Sequence, residues 1–337
     1  MGPIFQPFER LSSIKTMHNI TIPNSSRNLH TAILIVVVTF LLMLEGCGVK
    51  LPLSFVSVLL ACGVLLLGLP HGGMDQRLGL KLLAHYPKAL AVTVFLTVYL
   101  SVAGVVISGW FLAPRLTLLS FFILAAWHFG LEEQSCPAKS TIARLGSTAR
   151  GGMVIWIPAL FKGPAVVALL TAILPSGSSS LAKQVVFAIQ AISPILFILL
   201  VYDLFFIRYG GIEKSYPTGN ISFNQFRILA FGLLFAVANP LISFGVYFCL
   251  WHSIIGLGNL RLQFSLTNFE LMKKIFPISA AAILFFVAGF IFSRNVNPVT
   301  PAILQSVFIG LSAVAVPHLL LHIVHDSTRL SAIGVKP

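Results

Sequence analysis

The stretch PLSFVSVLLACGVLLLGLPHGGMDQ, residues 52–76, decides the fold because an apolar run ends abruptly in His71, two glycines and Asp75. The run reaches the roughly 20 apolar residues that an α-helix needs to cross a bilayer. Its residues do not alternate between apolar and polar as those of barrel strands do. The pattern therefore predicts a helix, which satisfies its own backbone hydrogen bonds in lipid. Similar apolar runs fall at about 31–49, 89–112, 116–130, 151–174, 184–207, 226–260, 275–293 and 301–325.

The composition agrees with a lipid-embedded chain. Hydrophobic residues make up 57% of the 337 positions and charged residues only 9%, against roughly 25% charged residues in soluble domains. The net charge of +13 comes from basic residues in short loops, with no aromatic–basic stripe, so it indicates loop orientation and anionic lipid rather than nucleic acid. The four cysteines show no CxxC spacing and are interpreted as ordinary thiols.

We therefore predict an all-α polytopic membrane helix bundle with about nine to ten transmembrane segments. Residues 1–30 are expected to form a polar, basic N-terminal tail, residues 31–326 a single transmembrane helical domain, and residues 327–337 a short C-terminal tail.

The run 226–260 is too long for one crossing, which takes roughly 17–25 residues, and it is interrupted by Asn239 and Pro240. It is either one bent helix or two shorter helices, because proline breaks or kinks a helix. Loops rich and poor in Lys and Arg alternate along the chain only if this run crosses twice. That topology has ten segments and places both termini in the cytoplasm.

Three further apolar stretches contain a histidine near their ends: AAWHFGLEE (125–133), FCLWHSIIGLGNLR (248–261) and VPHLLLHIVHD (316–326). With ten crossings, His71, His128, His252 and His318 lie in the later parts of helices that run in the same direction. All four are then expected in the cytoplasmic half of the membrane. Any single one is equally consistent with an interfacial residue bonded to a carbonyl, but four on one side favour a metal site.

Imidazole is the commonest biological metal ligand, and side chains from several helices of a bundle can converge on one ion. A set of imidazoles and carboxylates suits Fe, Zn, Cu or Ni better than Mg or Ca. His318 and His322 lie one turn apart and could both bind that ion.

Two carboxylates accompany the histidines at a spacing of four residues, Asp75 after His71 and Glu132 after His128. In an α-helix each pair shares a face. A carboxylate that accepts the second ring N–H orients a metal-bound imidazole, and this is the role we predict for both acids. Charges at the membrane interface would explain the placement of the two acids equally well.

The segments GLPHGGMDQ, AAWHFGLEE, YFCLWHS and PHLLL resemble the Brp/Blh family of membrane β-carotene 15,15′-dioxygenases, over about residues 60–325. The resemblance implies an integral membrane, non-haem Fe(II) enzyme that uses O₂ to cleave β-carotene centrally into two retinals. It implies His71, His128 and His252 as iron ligands. It also implies β-carotene or a related carotenoid, O₂ and the lipid bilayer of the inner or plasma membrane as partners, and a retinal-binding rhodopsin as product acceptor.

One position departs from the family pattern, whose third motif reads Trp-His-x-x-x-His, because Gly256 stands where the second histidine is expected. Either His318 or His322 completes the site, or the iron keeps one more open position, or the chain has drifted from carotene cleavage. If the missing ligand limits the enzyme, Gly256→His should raise iron occupancy or rate.

Other functions stay open from the sequence. A haem-binding electron-transfer protein would show a Soret band, and a non-catalytic carotenoid- or retinal-binding scaffold would retain pigment without turnover. A transporter would carry charges deep in the bundle and broken helices, for which Asn239-Pro240 is a candidate.

Overall fold

The computed structural model describes residues 24–132, 140–204 and 219–332, and within these ranges the chain forms helices and no strand. The helices are α1 (Asn24–Gly46), α2 (Leu53–Leu82), α3 (Lys88–Leu112), α4 (Pro114–Glu132), α5 (Thr141–Gly151), α6 (Met153–Phe161), α7 (Gly163–Ile173), α8 (Ser179–Tyr202), α9 (Gly219–Val237), α10 (Pro240–Gln263), α11 (Asn268–Arg294) and α12 (Val299–Ala332).

The predicted all-α polytopic bundle is confirmed. Among the described residues, eight helices are long and apolar enough to cross a membrane, and a ninth span results if α6 and α7 are taken together. Large apolar side chains point outward, with Leu112 85% and Phe187 73% exposed. Such a surface suits lipid, because monomeric soluble proteins rarely expose large contiguous apolar patches.

The apolar run 151–174 differs from the single straight segment that the sequence suggests. It forms α6 and α7, which meet at a bend of 119° around Lys162. Pro164 explains the break, because a proline ring at this position would clash with the carbonyl four residues earlier if the helix continued. The bent pair packs inside the bundle, where Trp156 and Ala159 are buried.

The run 226–260 forms two helices, and the break falls at Asn239-Pro240. The Asn239 side chain caps α10 by accepting a hydrogen bond from the Leu241 N–H at 2.9 Å, which satisfies one of the donors left free at a helix start. Between α10 and α2, Gly245 lies next to Leu60 and Gly63 next to Cys249. The two helices therefore run parallel. The membrane side on which they end stays a prediction.

The end of α4 is held by backbone contact with α5. A Cβ atom added to Gly130 would lie 2.4 Å from the Ser147 carbonyl oxygen, and one added to Gly151 would lie 2.2 Å from the Ala126 carbonyl oxygen. Only glycine permits this approach, which is typical of small residues in membrane helix interfaces. Ser147 also donates a hydrogen bond to the Gly130 carbonyl at 2.8 Å. These contacts fix the helix turn that carries His128.

Candidate metal centre

Four imidazole rings from four helices meet inside the bundle. The ring centroids of His71 and His252 are 5.0 Å apart, and those of His128 and His252 are 5.4 Å apart. His318 lies 5.5 Å from His71 and 5.7 Å from His128. The structure thus brings together residues that are separated by up to 247 positions in the sequence, 71 to 318, as the convergence hypothesis requires.

Glu132 lies among three of these rings. Its carboxylate oxygens are 2.5 Å from His252 Nδ1, 3.4 Å from His71 Nε2 and 3.8 Å from His128 Nε2. A carboxylate accepts only, so His252 Nδ1 donates in the short contact. One oxygen or nitrogen atom from each of these four residues lies within 4.8 Å of those of the others. Glu132 is therefore placed as a potential ligand itself, beyond the orienting role expected from the sequence.

Asp75 contacts a different imidazole from its sequence neighbour His71. Its Oδ1 accepts a hydrogen bond from His318 Nδ1 at 2.7 Å, and its Oδ2 accepts one from the Tyr99 hydroxyl at 3.0 Å. Asp75 is only 5% exposed. The ring of His322 lies 4.5 Å from that of His318, and the donor atoms of Asp75, His318 and His322 form a second compact group.

Irregular helical turns position two of the histidines. The π-helical turns Val64–Gly68 and Val246–Ser253 precede His71 and contain His252, respectively. In the second, the Ser253 hydroxyl donates to the Phe248 carbonyl five residues earlier at 2.8 Å. Single π-turns re-aim side chains and often occur at functional sites.

Prolines mark the other irregular points of this region. Pro70 directly precedes His71, and Pro317, inside α12, directly precedes His318. Because proline has no backbone N–H to donate, each helix lacks one backbone hydrogen bond directly before its histidine.

The His71 ring fills the space in which a side chain at position 256 would lie. A Cβ atom on Gly256 would lie 2.0 Å from both Cε1 and Nδ1 of the His71 ring. No side chain at position 256 is compatible with the ring as it stands. This corrects the expectation attached to Gly256→His, since the added imidazole would displace His71 before it could add a ligand.

The donor set fits a transition-metal ion. Both ring nitrogens of His71 are buried without a hydrogen-bond partner among the described residues, and an orphaned buried polar atom costs about 1–3 kcal/mol. A cation bound by one of these nitrogens would remove that penalty. Ligand atoms about 2.1 Å from one ion lie within the 4.8 Å separation that His71, His128, His252 and Glu132 already have.

An apolar cavity of about 150 Å³ begins at the four histidines. Its walls include both His252 and Pro240 of α10, and the twelve helical steps from Pro240 to His252 span about 18 Å at roughly 1.5 Å per residue. The aromatic lining comes from Phe121, Phe122, Phe129, Phe244, Phe248 and Phe308. The apolar lining suits an apolar molecule whose reacting atoms lie against the imidazoles.

The remaining histidines lie elsewhere or outside the described residues. His30 stacks on Trp251 with its Nε2 2.7 Å from the Leu250 carbonyl oxygen, and His85 packs on Tyr86. His18 falls outside the described residues, as does the Asp326 side chain.

Reasoning from the sequence does not find two features of the structure. One is Tyr99, which donates to Asp75. The other is the buried ion pair of Arg150 and Asp203, with 2.5 Å between Nη1 and Oδ2. A tyrosine in an apolar helix is too common to mark a site. Asp203 is a charged residue near the end of the apolar run 184–207. A buried acid needs a positive partner, so its position could have indicated the ion pair.

Fold and site together define a polytopic membrane protein with an imidazole–carboxylate cluster at the end of an apolar cavity. The chain belongs to the beta-carotene 15,15'-dioxygenase family, whose sequence profile matches residues 62–325. The beta-carotene 15,15'-dioxygenase of uncultured marine bacterium 66A03 is 29% identical over 271 residues, covering 77% of this chain and 90% of that protein. No solved structure matches the chain. The resemblance inferred from the four histidine motifs is confirmed, and the family implies a carotenoid substrate.

Proposed function

We propose that this protein is a membrane dioxygenase that cleaves β-carotene centrally with O₂ and yields two retinals. The observation that carries the proposal is the meeting of His71, His128 and His252 with Glu132 at the end of the apolar cavity. Membership of the family supports the reaction class and the carotenoid substrate. A related carotenoid remains an alternative substrate.

His71, His128, His252 and Glu132 would hold Fe(II), with the His318 ring beside them. Bound Fe(II) would supply O₂ activation. The apolar walls formed by Phe244, Phe248 and Phe308 would hold the polyene and exclude water from the reacting carbons. The carboxylate of Glu132 offsets positive charge at the cluster.

Both substrates concentrate in the bilayer, so a site within the membrane meets them where they are most abundant. We further propose that the cluster faces the cytoplasmic half of an inner or plasma membrane, with both termini cytoplasmic. Retinal released there would reach a retinal-binding rhodopsin as acceptor.

The test is retinal formation in cells that accumulate β-carotene, together with iron analysis of the purified protein. Wild type is expected to remove the orange pigment, form retinal and contain iron, whereas His128→Ala loses both retinal formation and iron. His85→Ala, a histidine outside the cluster, serves as the matched control and should behave as wild type. Retained carotenoid without retinal, in a protein that binds iron, would instead indicate a carotenoid-binding scaffold.

A haem-binding function is less well supported by the geometry. Two axial imidazoles need a flat slot between them, whereas His71, His128 and His252 surround one carboxylate group at distances of 2.5–3.8 Å. A Soret band in the purified protein would reverse this ranking.

A further inference from the structure

The donor side chains of this region divide into two groups rather than one. His71 and Asp75 both lie on α2, but His71 belongs to the group of His128, Glu132 and His252, whereas Asp75 belongs to a group with His318 and His322. The 5.5 Å between the ring centroids of His71 and His318 makes the groups direct neighbours. The group of His71, His128, Glu132 and His252 is complete without any donor atom from Asp75, His318 or His322.

The second group has the composition of a recognised metal-binding set. Two imidazoles and one carboxylate form the facial arrangement that holds divalent iron in many oxygenases. Here the two imidazoles come from consecutive turns of α12 and the carboxylate from α2. One donor atom from each residue lies within 4.8 Å of the other two.

A charged, buried Asp75 carboxylate needs a positive partner. The side chain is 5% exposed, and no Lys or Arg of the described residues forms an ion pair with it. Buried carboxylates are paired with a positive group or coordinate a metal. The available positive group is either a proton shared with His318 or a metal ion in its place.

We propose that Asp75, His318 and His322 hold a second divalent metal ion beside the first centre. The Tyr99 hydroxyl donates to Oδ2 of Asp75, so Oδ1 is the oxygen directed at His318 and available to an ion. His318 Nδ1 and Asp75 Oδ1 lie 2.7 Å apart, and ligands bound at about 2.1 Å to one ion are only slightly farther from each other. Binding therefore needs the loss of one proton and a small separation of these two atoms.

Nitrogen and oxygen donors of this kind select Fe, Zn, Cu or Ni over Mg and Ca. The two ions would be close enough to act on the same molecule in the cavity, because His318 lines that cavity together with His71 and His128. This inference concerns metal content and does not require that the protein cleaves a carotenoid.

The test counts metal ions per chain in full-length protein purified in detergent and loaded with Co(II) without oxygen. Elemental analysis and the visible absorption of Co(II) should both give two ions for wild type and one for His322→Ala. His325→Ala is the matched control, because His325 lies three residues after His322 on the same helix. This variant should keep two ions. Size-exclusion chromatography verifies that each variant is folded.

The count for wild type decides the proposal even if His322→Ala does not fold. One ion or none in wild type would overturn it, and Asp75 would then act by orienting His318 through their hydrogen bond. Two ions in His322→Ala would also overturn it, because the second ion would lie elsewhere. Two ions in wild type without any retinal formed would leave this inference standing and reject the proposed function.

Discussion

At the scale of single residues, Glu132 is the most informative side chain of the site. It contacts three imidazoles from three helices, and its side chain remains 32% exposed while His252 is only 5% exposed. A carboxylate in this position adds negative charge to a group of imidazoles, which raises the affinity of the site for a cation.

We expect Glu132→Gln to weaken metal binding by about 10–100-fold, the range seen when carboxylates near a metal are removed. Titration of the purified variant with Co(II) measures the change. Glu45→Gln removes an acid that lies 3.9 Å from Lys162, away from the histidines, and should leave the affinity as it is. An unchanged affinity in Glu132→Gln would remove Glu132 from the site.

Gly256 provides a second residue-scale prediction. Gly256→Ala and Gly256→His should both lower metal occupancy, because a Cβ at this position overlaps the His71 ring. Gly289→Ala places the same methyl group on α11 where nothing lies within 4 Å, so it should retain wild-type occupancy. Elemental analysis of the three variants is sufficient. Higher occupancy in Gly256→His would show that His71 moves aside and that a ligand was missing.

At the scale of helical elements, the sequence predicts the helices that carry the four histidines and the meeting of their rings. The helices α2, α4, α10 and α12 are each predicted from an apolar run with a histidine near its end, although α2, α10 and α12 continue well past that histidine. The break at Asn239-Pro240 is needed to bring His252 to the side of His71. Both expectations depend only on hydrophobic length and on proline chemistry. Local physics was therefore enough to predict the helices and the meeting of the four rings.

The pairing of Asp75 could not be predicted in the same way. A spacing of four residues places two side chains on one face of a regular α-helix, but Gly72–Met74 forms a 3₁₀ turn between His71 and Asp75. At three residues per turn, such a segment rotates the next side chain by roughly 60° more around the axis. Asp75 therefore faces His318 on α12, and this depends on backbone geometry that the sequence pattern does not show.

The cavity beside α6 and α7 supports a prediction at this scale. Ala125→Trp should fill part of the space between α4 and the bent pair, since Ala125 and Pro158 both line the cavity. We expect at least a tenfold loss of bound carotenoid with unchanged metal content, measured on protein purified from pigmented cells. Ala288→Trp adds the same volume on the exposed face of α11 and should bind pigment normally. Equal pigment in both variants would place the substrate outside this cavity.

At the scale of the whole molecule, the buried ion pair is separate from the two groups of potential metal ligands. Arg150 and Asp203 form a buried ion pair between α5 and the end of α8, and neither residue belongs to the donor groups. Removing one partner of a buried pair is destabilising by about 3–5 kcal/mol, because the other charge stays buried.

Asp203→Asn is accordingly expected to lower the free energy of unfolding in detergent by about 3–5 kcal/mol, while the folded fraction keeps its metal. Denaturation monitored by circular dichroism, followed by elemental analysis of the folded fraction, measures both quantities. Loss of metal from folded Asp203→Asn would link the ion pair to the site.

The central claim is that imidazoles from α2, α4 and α10 bind one metal ion together, and X-ray absorption at the metal edge of the purified protein tests it most directly. The account predicts only nitrogen and oxygen atoms next to the metal, together with the scattering of several imidazole rings. In the combined His71→Ala, His128→Ala, His252→Ala variant it predicts a lower metal content and weaker imidazole scattering, because only the group of Asp75, His318 and His322 remains. A sulfur-containing shell, or a spectrum that the combined variant leaves unchanged, would contradict it.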